Sequence, residues 1–161
     1  MSPADSSGAA LQESLRLLPG PVTVVGVAAD GCLGGMTAAW VTRVSHEPPL
    51  LLVAVGHERH TWSLLENAAR FSISLLAEGQ VPAGRLFGLH SRRERDKWAE
   101  VDHVLLDGGV PALADCSARY LCAKEGRFTT GDHDCYVGRV ITAEIVSGPP
   151  VLPLRGADYA D

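Results

Sequence analysis

One histidine of this 161-residue chain lies where a side chain could take part in binding or proton transfer. His133 ends the run Gly131-Asp132-His133, which follows the loop Lys124 to Thr130 and precedes the strand-like stretch Tyr136 to Val146. Loops of this kind often carry binding residues, and an imidazole can exchange a proton near neutral pH. A single histidine at the start of a strand can equally be structural, so the residue alone leaves both interpretations open.

The most basic stretch, Ser91 to Lys97, is the natural candidate for an anion site. Phosphate oxygens prefer Arg or Lys side chains together with hydroxyl donors. Ser91 and Lys97 supply one of each kind. A run of charges is also typical of a solvated surface. The sequence therefore marks this stretch as a candidate without deciding its role.

Other common sites find little support in the sequence. The glycine-rich turn from Asp30 to Gly35 lacks G-x-G-x-x-G and is followed by a poor helix start, so it does not fit a dinucleotide fingerprint. His57 and His60 lack the H-E-x-x-H spacing and a third ligand nearby, so we expect no metal. The sequence contains no G-x-S-x-G nucleophile motif.

The composition is that of an ordinary globular protein of single-domain size. The chain is 46% hydrophobic and 20% charged, and its net charge of −5 argues against a nucleic-acid partner. No run of 18 apolar residues predicts a membrane span, and the first ten residues lack the features of a secretory signal. The cysteines form no C-x-x-C pair, so we expect reduced thiols and a cytoplasmic location. They are Cys32, Cys116, Cys122 and Cys135.

The hydrophobic pattern predicts about six strands and two or three helices. The predicted strands are Val22 to Ala29, Met36 to Ser45, Leu50 to Val55, Phe71 to Leu76, Ala118 to Lys124 and Tyr136 to Val146. We predict helices near Leu11 to Leu18, at His60 to Ala69 with Thr61 or Ser63 as the N-cap, and at Val81 to Leu89.

The order of the elements favours an antiparallel barrel with attached helices. The strands mostly follow one another through turns, whereas a doubly wound sheet would alternate strands with helices. We expect residues 1–10 to form a flexible tail and residues 11–161 to form one domain.

Several short motifs, taken in order, resemble the flavin reductase family. They are Gly35-Met36-Thr37, Val44-Ser45 with Pro48-Pro49, Phe71 at the start of a strand, Asp96-Lys97-Trp98, Gly131-Asp132-His133 and Gly138-Arg139-Val140. The resemblance extends from about Leu15 to Tyr159, and its specificity comes from the ordered set. It implies a mainly β fold, the six-stranded antiparallel split β-barrel that binds FMN.

The resemblance also implies where cofactor and co-substrate bind. It implies FMN, or FAD in its place, at the interface of a homodimer, with NADH or NADPH as co-substrate. The implied flavin-binding residues are Met36, Thr37, Ala38, Trp40, Thr42, Val44, Ser45, Arg59, Thr61, Ser91 and Lys97. Of these, Ser91 and Lys97 match the segment that holds the phosphate, and Arg59 and Thr61 could join them. His133 is implied as the catalytic residue near the nicotinamide, with Tyr159 beside the same pocket.

The implied function is NAD(P)H-dependent reduction of flavin, supplying reduced flavin to a monooxygenase. The chain departs from the family pattern at Trp40, Arg43 and Trp98. Trp40 resembles a flavoredoxin-like branch, so one alternative is a tightly bound FMN that passes electrons to a protein or ferric acceptor. A second alternative is a flavin-binding module without turnover, and a third is a plain barrel without flavin. The sequence does not distinguish NADH from NADPH.

Overall fold

The computed structural model describes residues 8–91 and 93–160 and shows a mainly β protein with few helices. The strands are β1 Thr23–Ala29, β2 Cys32–Ala38, β3 Val41–Ser45, β4 Leu50–Gly56, β5 Arg70–Leu75, β6 His103–Leu106, β7 Val110–Leu113, β8 Ala118–Thr129 and β9 His133–Ile145. The helices are α1 Gly8–Leu15, α2 His60–Asn67 and α3 Val81–Leu89, and short 3-10 turns occupy Lys97–Glu100 and Gly156–Tyr159.

Seven of the strands form one antiparallel sheet, in the order β2-β1-β5-β8-β9-β4-β3. The remaining two, β6 and β7, pair as a separate antiparallel ribbon. These pairings confirm the predicted antiparallel, mainly β architecture. Within the described ranges the edge strands β2 and β3 do not pair with each other, so the sheet does not close into a barrel.

The described residues form nine strands where six were predicted. One reason is that one predicted strand is split into two. The stretch Met36 to Ser45 turns at Ala39 and Trp40, and its two halves belong to β2 and β3 at opposite edges of the sheet. The ribbon strands β6 and β7 were not predicted. Each has four residues, and Pro111 lies in the second, so neither gives a strong alternating pattern.

Two hydrophobic clusters lie on opposite faces of the sheet. Val25, Met36, Val53 and Tyr136 belong to the first, which α2 covers through Leu64 and Leu65. In the second cluster, α3 and the 3-10 turn Lys97–Glu100 pack against the other face of the sheet. Its residues include Val24, Phe87, Trp98 and Leu113. The two clusters therefore fix α2 and α3 relative to the strand β2 that lies between them.

The first helix begins at Gly8, three residues before the predicted start. It buries none of its side chains, and Leu11 and Leu15 are about half exposed. The predicted tail therefore overlaps the helix at residues 8–10, while residues 1–7 lie outside the described part of the chain. In that part, no helix is both long and apolar enough to cross a membrane.

One part of the sheet surface carries apolar side chains that nothing in the described chain covers. The ribbon covers the face near β5, where Ser72 Oγ donates to the Pro111 carbonyl at 2.5 Å. Further along, alternation places Leu52 of β4, Val137 of β9 and Phe128 of β8 on the face opposite the first cluster. We call Leu50, Leu52, Phe128 and Val137 the outer apolar face; Phe128 is 50% exposed and the others are half-buried.

Candidate functional site

A cavity of about 340 Å³ lies between β2, the start of α2 and the end of α3. We call it the α2–α3 pocket. Five of the residues that the sequence implied for flavin binding line it together: Met36, Arg59, Thr61, Ser91 and Lys97. The fold thus brings together side chains that lie up to 61 residues apart in the sequence.

The N-terminus of α2 opens into this pocket without a side-chain cap. Arg59 occupies the N-cap position in an extended conformation, and its side chain makes no capping hydrogen bond. The prediction that Thr61 or Ser63 caps the helix was therefore wrong. Ser63 Oγ instead donates to the His60 carbonyl at 2.7 Å, within the helix. An uncapped helix N-terminus presents backbone N–H groups and favours an anion.

Arg59 connects the two helix ends that form the pocket. Its guanidinium donates to the Gly88 carbonyl near the end of α3 at 3.2 Å and lies 3.5 Å from the Glu58 carboxylate. The side chain stays 45% exposed, so it can reorient toward a ligand. On the opposite side, the Ser91 backbone N–H donates to the Glu94 carboxylate at 3.4 Å. The carboxylates of Glu58 and Glu94 therefore offset part of the positive charge at the pocket.

Lys97 is buried, with 3% of its surface exposed, and it stabilises the end of α3. Its Nζ donates to the carbonyls of His90 at 2.9 Å and Phe87 at 3.3 Å. A cation at a helix C-terminus satisfies terminal carbonyls and interacts favourably with the helix dipole. The lysine thus fixes the wall of the pocket and brings a positive charge to its lining.

Trp98 and Phe87 explain why β2 carries glycine beside the pocket. The Trp98 Nε1–H donates to the Gly34 carbonyl at 2.9 Å, and the Trp98 and Phe87 ring centroids are 4.7 Å apart. A Cβ added at Gly35 would lie 3.0 Å from both rings. The indole therefore holds β2 directly. In the sequence, Trp98 belongs to the motif Asp96-Lys97-Trp98 and departs from the family pattern, but neither feature predicted this role.

His133 lies in a second group, as the first residue of β9. Its Nδ1 is 2.6 Å from the Asp132 carboxylate, and its ring centroid is 4.6 Å from that of Trp40. The hydrogen bond from His133 holds the pKa of Asp132 below its ordinary value. Trp40 is 62% exposed. We call Trp40, Asp132 and His133 the Trp40–His133 corner.

The backbone links this corner to the α2–α3 pocket. His133 pairs with Gly56 at the end of β4, and the His57 N–H donates to the Asp132 carbonyl at 3.1 Å. Arg59, which lines the pocket, follows only two residues after His57. The two groups of predicted site residues are therefore neighbours along the chain leading into α2.

Asp134 anchors this connection, although it was not among the predicted site residues. The carboxylate is buried and accepts hydrogen bonds from His57 Nε2 at 2.9 Å and Trp62 Nε1 at 2.8 Å. These donors hold the pKa of Asp134 far below its ordinary range. In the sequence, the sign of this role was an acidic residue at a position of β9 whose side chain faces the core. Its bonds fasten β9 to the segment that leads into α2.

Four other predicted flavin-binding residues lie on β3 or just before it, outside the lining of the α2–α3 pocket. Thr42 and Val44 are exposed on this edge strand, and Ser45 is half-buried. Trp40 joins them through the corner, where its carbonyl accepts from the Ala54 N–H at 3.0 Å. The structure therefore places five of the predicted flavin-binding residues in the α2–α3 pocket and four on or just before the edge strand β3.

Thr37, Ala38 and Tyr159 complete the predicted set. Thr37 Oγ1 donates to the Gly84 carbonyl of α3 at 2.6 Å, and Ala38 is buried in the first cluster. Tyr159 packs its ring against α3 at Gly84, and burial raises the pKa of its hydroxyl. That hydroxyl is buried with no hydrogen-bond partner in the described chain. The structure places Tyr159 in the second cluster rather than in ring contact with His133.

The cysteines are unpaired thiols in the described chain. Burial raises the pKa of Cys116 to about 11 and that of Cys122 to about 12. A thiol with such a pKa is almost entirely protonated near neutral pH, so these two side chains are unreactive packing groups.

Comparison with known proteins identifies the family. The family model described as flavin reductase like domain matches residues 15–158. The chain is 37% identical over 153 residues to the stachydrine N-demethylase reductase subunit Stc3 of Rhizobium meliloti, covering 94% of this chain and 62% of that protein. It is 39% identical over 127 residues to an NADH-dependent FAD reductase of Streptomyces globisporus, covering 78% of this chain and 69% of the relative.

Solved structures show the same fold. The NADH:FAD oxidoreductase SgcE6 of Streptomyces globisporus superimposes with a TM-score of 0.87 at 32% identity, over 97% of this chain and 93% of that one. The matches confirm the resemblance that the motifs indicated. The chain spans less than two thirds of the length of Stc3.

Proposed function

The chain belongs to the flavin reductase-like domain family, and from this premise we propose that it is an NAD(P)H-dependent flavin reductase. In the proposed reaction, a hydride passes from the nicotinamide of NADH or NADPH to FMN or FAD. The relatives named as a reductase subunit and as an NADH-dependent FAD reductase support this proposal. We further propose that the reduced flavin serves a monooxygenase partner.

The α2–α3 pocket is the observation that carries the proposal. It combines an uncapped helix N-terminus, Arg59, Thr61 and Ser91 around one cavity. This donor set suits a phosphate, because charged groups and N–H donors converge from different elements. The cavity of about 340 Å³ lies within the usual range for small-ligand sites. The residues present therefore fit the phosphate end of a flavin.

The proposed division of labour follows from the two groups of residues. Bound flavin supplies the ring that accepts the hydride, so the protein needs mainly to bind and orient. Arg59, Thr61 and Ser91 would hold the phosphate, and Met36 would contact the part of the flavin that enters along β2. The residues on and before β3 would then lie toward the ring. Holding two reactants in a fixed orientation lowers the entropic part of the barrier in such a reaction.

We propose that His133 orients the nicotinamide or moves a proton at its Nε2 atom. Its Nδ1 is held by Asp132 at 2.6 Å, which leaves the other ring nitrogen to face a ligand. The Trp40 ring packs against the same imidazole in a tilted arrangement, with an angle of 43° between the ring planes, and limits its rotation. A positioned imidazole with one engaged nitrogen can serve as a general acid or a hydrogen-bond donor.

We propose a homodimer in which the outer apolar face is covered by a second copy. Leu50, Leu52 and Val137 are half-buried there, and Phe128 is 50% exposed. Contiguous apolar side chains on a sheet face commonly mark an interface. The face is on the same side of β4 and β9 as the Trp40–His133 ring contact, so a second copy would also enclose the ring end of the flavin.

We also propose that the sheet forms a split barrel. Val25 of β1, Met36 of β2 and Val53 of β4 meet in one cluster, so the sheet curls strongly even though its edges stay apart. Such curling supports the proposed split barrel, although the sheet has seven strands where the resemblance implied six. We also propose that residues 11–161 act as one domain and that the reaction takes place in the cytoplasm.

The proposal is tested by measuring NAD(P)H oxidation by the purified chain with and without added FMN and FAD, after its visible spectrum has been recorded. We expect turnover that requires added flavin. A yellow protein that is reduced once and then waits for an electron acceptor would instead indicate the bound-FMN carrier. Flavin binding without NAD(P)H oxidation would indicate the module without turnover. A colourless protein that neither binds flavin nor oxidises NAD(P)H would contradict the proposal.

A further inference from the structure

The hairpin of β8 and β9, which brings His133 to the corner, has little apolar support near its tip. β5 pairs with β8 only from Ala118 to Ala123, so Gly126 to Thr129 have β9 as their one sheet neighbour in the described chain. Tyr136 is the buried residue of β9 that belongs to the first cluster. Packing of that cluster therefore ends at Tyr136, before the strand reaches Asp134 and His133.

One carboxylate of α2 holds both strands of this hairpin. The Tyr136 hydroxyl of β9 donates to Glu66 Oε1 at 2.7 Å. Arg127 of β8 forms an ion pair through its Nη1 atom with the other carboxylate oxygen, Glu66 Oε2. The hydrogen bond from Tyr136 and the charge of Arg127 hold the pKa of Glu66 below its ordinary value. We call Glu66, Arg127 and Tyr136 the hairpin tie.

The hairpin tie extends to the residue that follows His133. Arg127 Nη1 lies 3.5 Å from Asp134 Oδ2, and Asp134 is buried. The same carboxylate accepts a hydrogen bond from Trp62, which lies on α2 four residues before Glu66. The start of β9 is therefore fastened to two positions on one face of α2, and Arg127 contacts both carboxylates.

The end of α2 that carries Glu66 is itself fixed. Lys124 Nζ donates to the carbonyls of Leu65 at 2.6 Å and of Glu66 at 3.2 Å. A cavity of about 300 Å³ opens beside these side chains, and Arg127 is 41% and Glu66 31% exposed. Ion pairs that water can reach contribute little to the free energy of unfolding. The main consequence of this pair is therefore geometric, because it selects one position of the hairpin on α2.

We propose that Glu66 and Arg127 are positioning residues for the reduction of flavin and that they act through His133. The inference rests on the proposed function, since it requires that His133 acts on the nicotinamide. The N-terminus of α2 opens into the α2–α3 pocket, and the last turn of the same helix carries Glu66. The hairpin tie thus sets the position of the imidazole relative to the phosphate site. A small displacement of a reacting or orienting group lowers a rate steeply.

Steady-state kinetics of NAD(P)H oxidation at saturating flavin, together with a flavin binding titration, test the inference. Arg127→Ala should lower kcat by roughly 10-fold and change the flavin dissociation constant by less than about 2-fold, because the phosphate site is intact. Arg127→Lys keeps the charge and should retain part of the lost activity. Glu66→Gln keeps the shape of the side chain and removes its charge, so it should lower kcat by roughly 3-fold or more even if Arg127→Ala fails to fold.

A double-mutant cycle separates positioning from a purely structural role. In a His133→Ala background, Arg127→Ala should lower kcat by less than about 2-fold, because residues that act as one unit give non-additive losses. If the two losses multiply, Arg127 does not act through the imidazole and the inference is overturned. Wild-type kcat for both Arg127→Ala and Glu66→Gln would overturn it as well.

Arg70→Ala is the matched control for the loss of an arginine. Arg70 is 38% exposed, against 41% for Arg127, and it ties β5 to Asp107 in the turn between β6 and β7. We expect its kcat and flavin affinity to equal those of the wild type. A wild-type chain that does not oxidise NAD(P)H in the presence of flavin would overturn the proposed function together with this inference. Multiplying losses in an active wild-type background would overturn the inference alone.

Discussion

The α2–α3 pocket and the Trp40–His133 corner differ in how much of their structure one chain supplies. The pocket is bounded by two helix ends and a strand, and Lys97 and Trp98 beneath it are buried and hydrogen-bonded. The corner stands open, with Trp40 62% exposed and Asp132 at the surface. Thr42 and Val44 beside it are also exposed.

In the proposed function, this difference separates anchoring of the flavin phosphate in the pocket from the reaction of the rings at the corner. A phosphate needs a fixed set of donors, and the pocket is held rigid by packing on both sides of the sheet. Two flat rings that must stack and separate need an open, apolar surface that a second molecule can cover. The contrast between the two regions supports the proposed homodimer, because the corner adjoins the outer apolar face. The pocket does not depend on that face.

The largest expected effect comes from placing a charge on the outer apolar face. We predict that Leu52→Asp shifts the protein to monomers and lowers NAD(P)H:flavin turnover by roughly 100-fold or more, since an unpaired charge is costly in an interface. Sedimentation and steady-state kinetics measure the two effects. Leu105→Asp is the control, because Leu105 is 60% exposed on the ribbon. Full activity from a Leu52→Asp monomer would show that one chain suffices.

Removing the exposed arginine of the pocket should weaken anchoring. We predict that Arg59→Ala lowers flavin affinity by roughly 10- to 100-fold, because it removes a charged donor to the phosphate. Titration of the flavin with wild-type and variant protein measures the change. Arg155→Ala, outside the pocket lining, should leave the affinity unchanged. An unaltered affinity for Arg59→Ala would place the phosphate elsewhere.

Removing the imidazole of the corner should affect turnover rather than anchoring. We predict that His133→Ala lowers kcat by roughly 10-fold or more, since a positioned acid or donor is lost, while the flavin dissociation constant changes little. Kinetics with saturating flavin, together with a binding titration, separate the two. His103→Ala on the ribbon is the matched control. A His133→Ala variant with full turnover would rule out this role.

The smallest expected effect concerns the link between the two regions. The folded-state pKa of Asp134 is depressed by His57 and Trp62, so its carboxylate contributes stability above its unfolded pKa of about 3.9. That contribution is lost as pH falls through the folded pKa. We therefore predict that Asp134→Asn is destabilised at pH 7 and that its gap from wild type narrows steadily below about pH 4.

Urea unfolding at several pH values measures this gap. Asp132→Asn is a suitable control because the Asp132 side chain is 92% exposed, and we expect a smaller difference from wild type. A gap for Asp134→Asn that stayed constant with pH would show that the carboxylate charge is not what stabilises the link.

The sequence predicted the regular strands well and the irregular ones poorly. Runs such as Val22 to Ala29 and Leu50 to Val55 are β-branched or leucine-rich, so their pattern is strong. The turn at Ala39 and Trp40 carries no glycine or proline and gave no break signal. The cap of α2 was also predicted wrongly, because the Ser63 hydroxyl donates to the His60 carbonyl within the helix.

The candidate site was predicted as a set of residue types, but its division into two regions was not. The family resemblance implied Arg59, Thr61, Ser91 and Lys97 as flavin-binding residues, and the fold places all four in the lining of one pocket. The role of Asp134 depends on a contact with Trp62, 72 residues away, which no local pattern encodes. Long-range contacts of this kind follow from strand order, and strand order is not readable from periodicity.

The most direct test of the account is a crystal structure of the chain with bound flavin. We predict that the flavin phosphate lies among Arg59, Thr61 and Ser91 at the start of α2, with the ring directed toward the Trp40–His133 corner and covered by a second copy of the chain. A flavin whose phosphate lies outside the α2–α3 pocket, or whose ring is enclosed by one chain alone, would contradict the account.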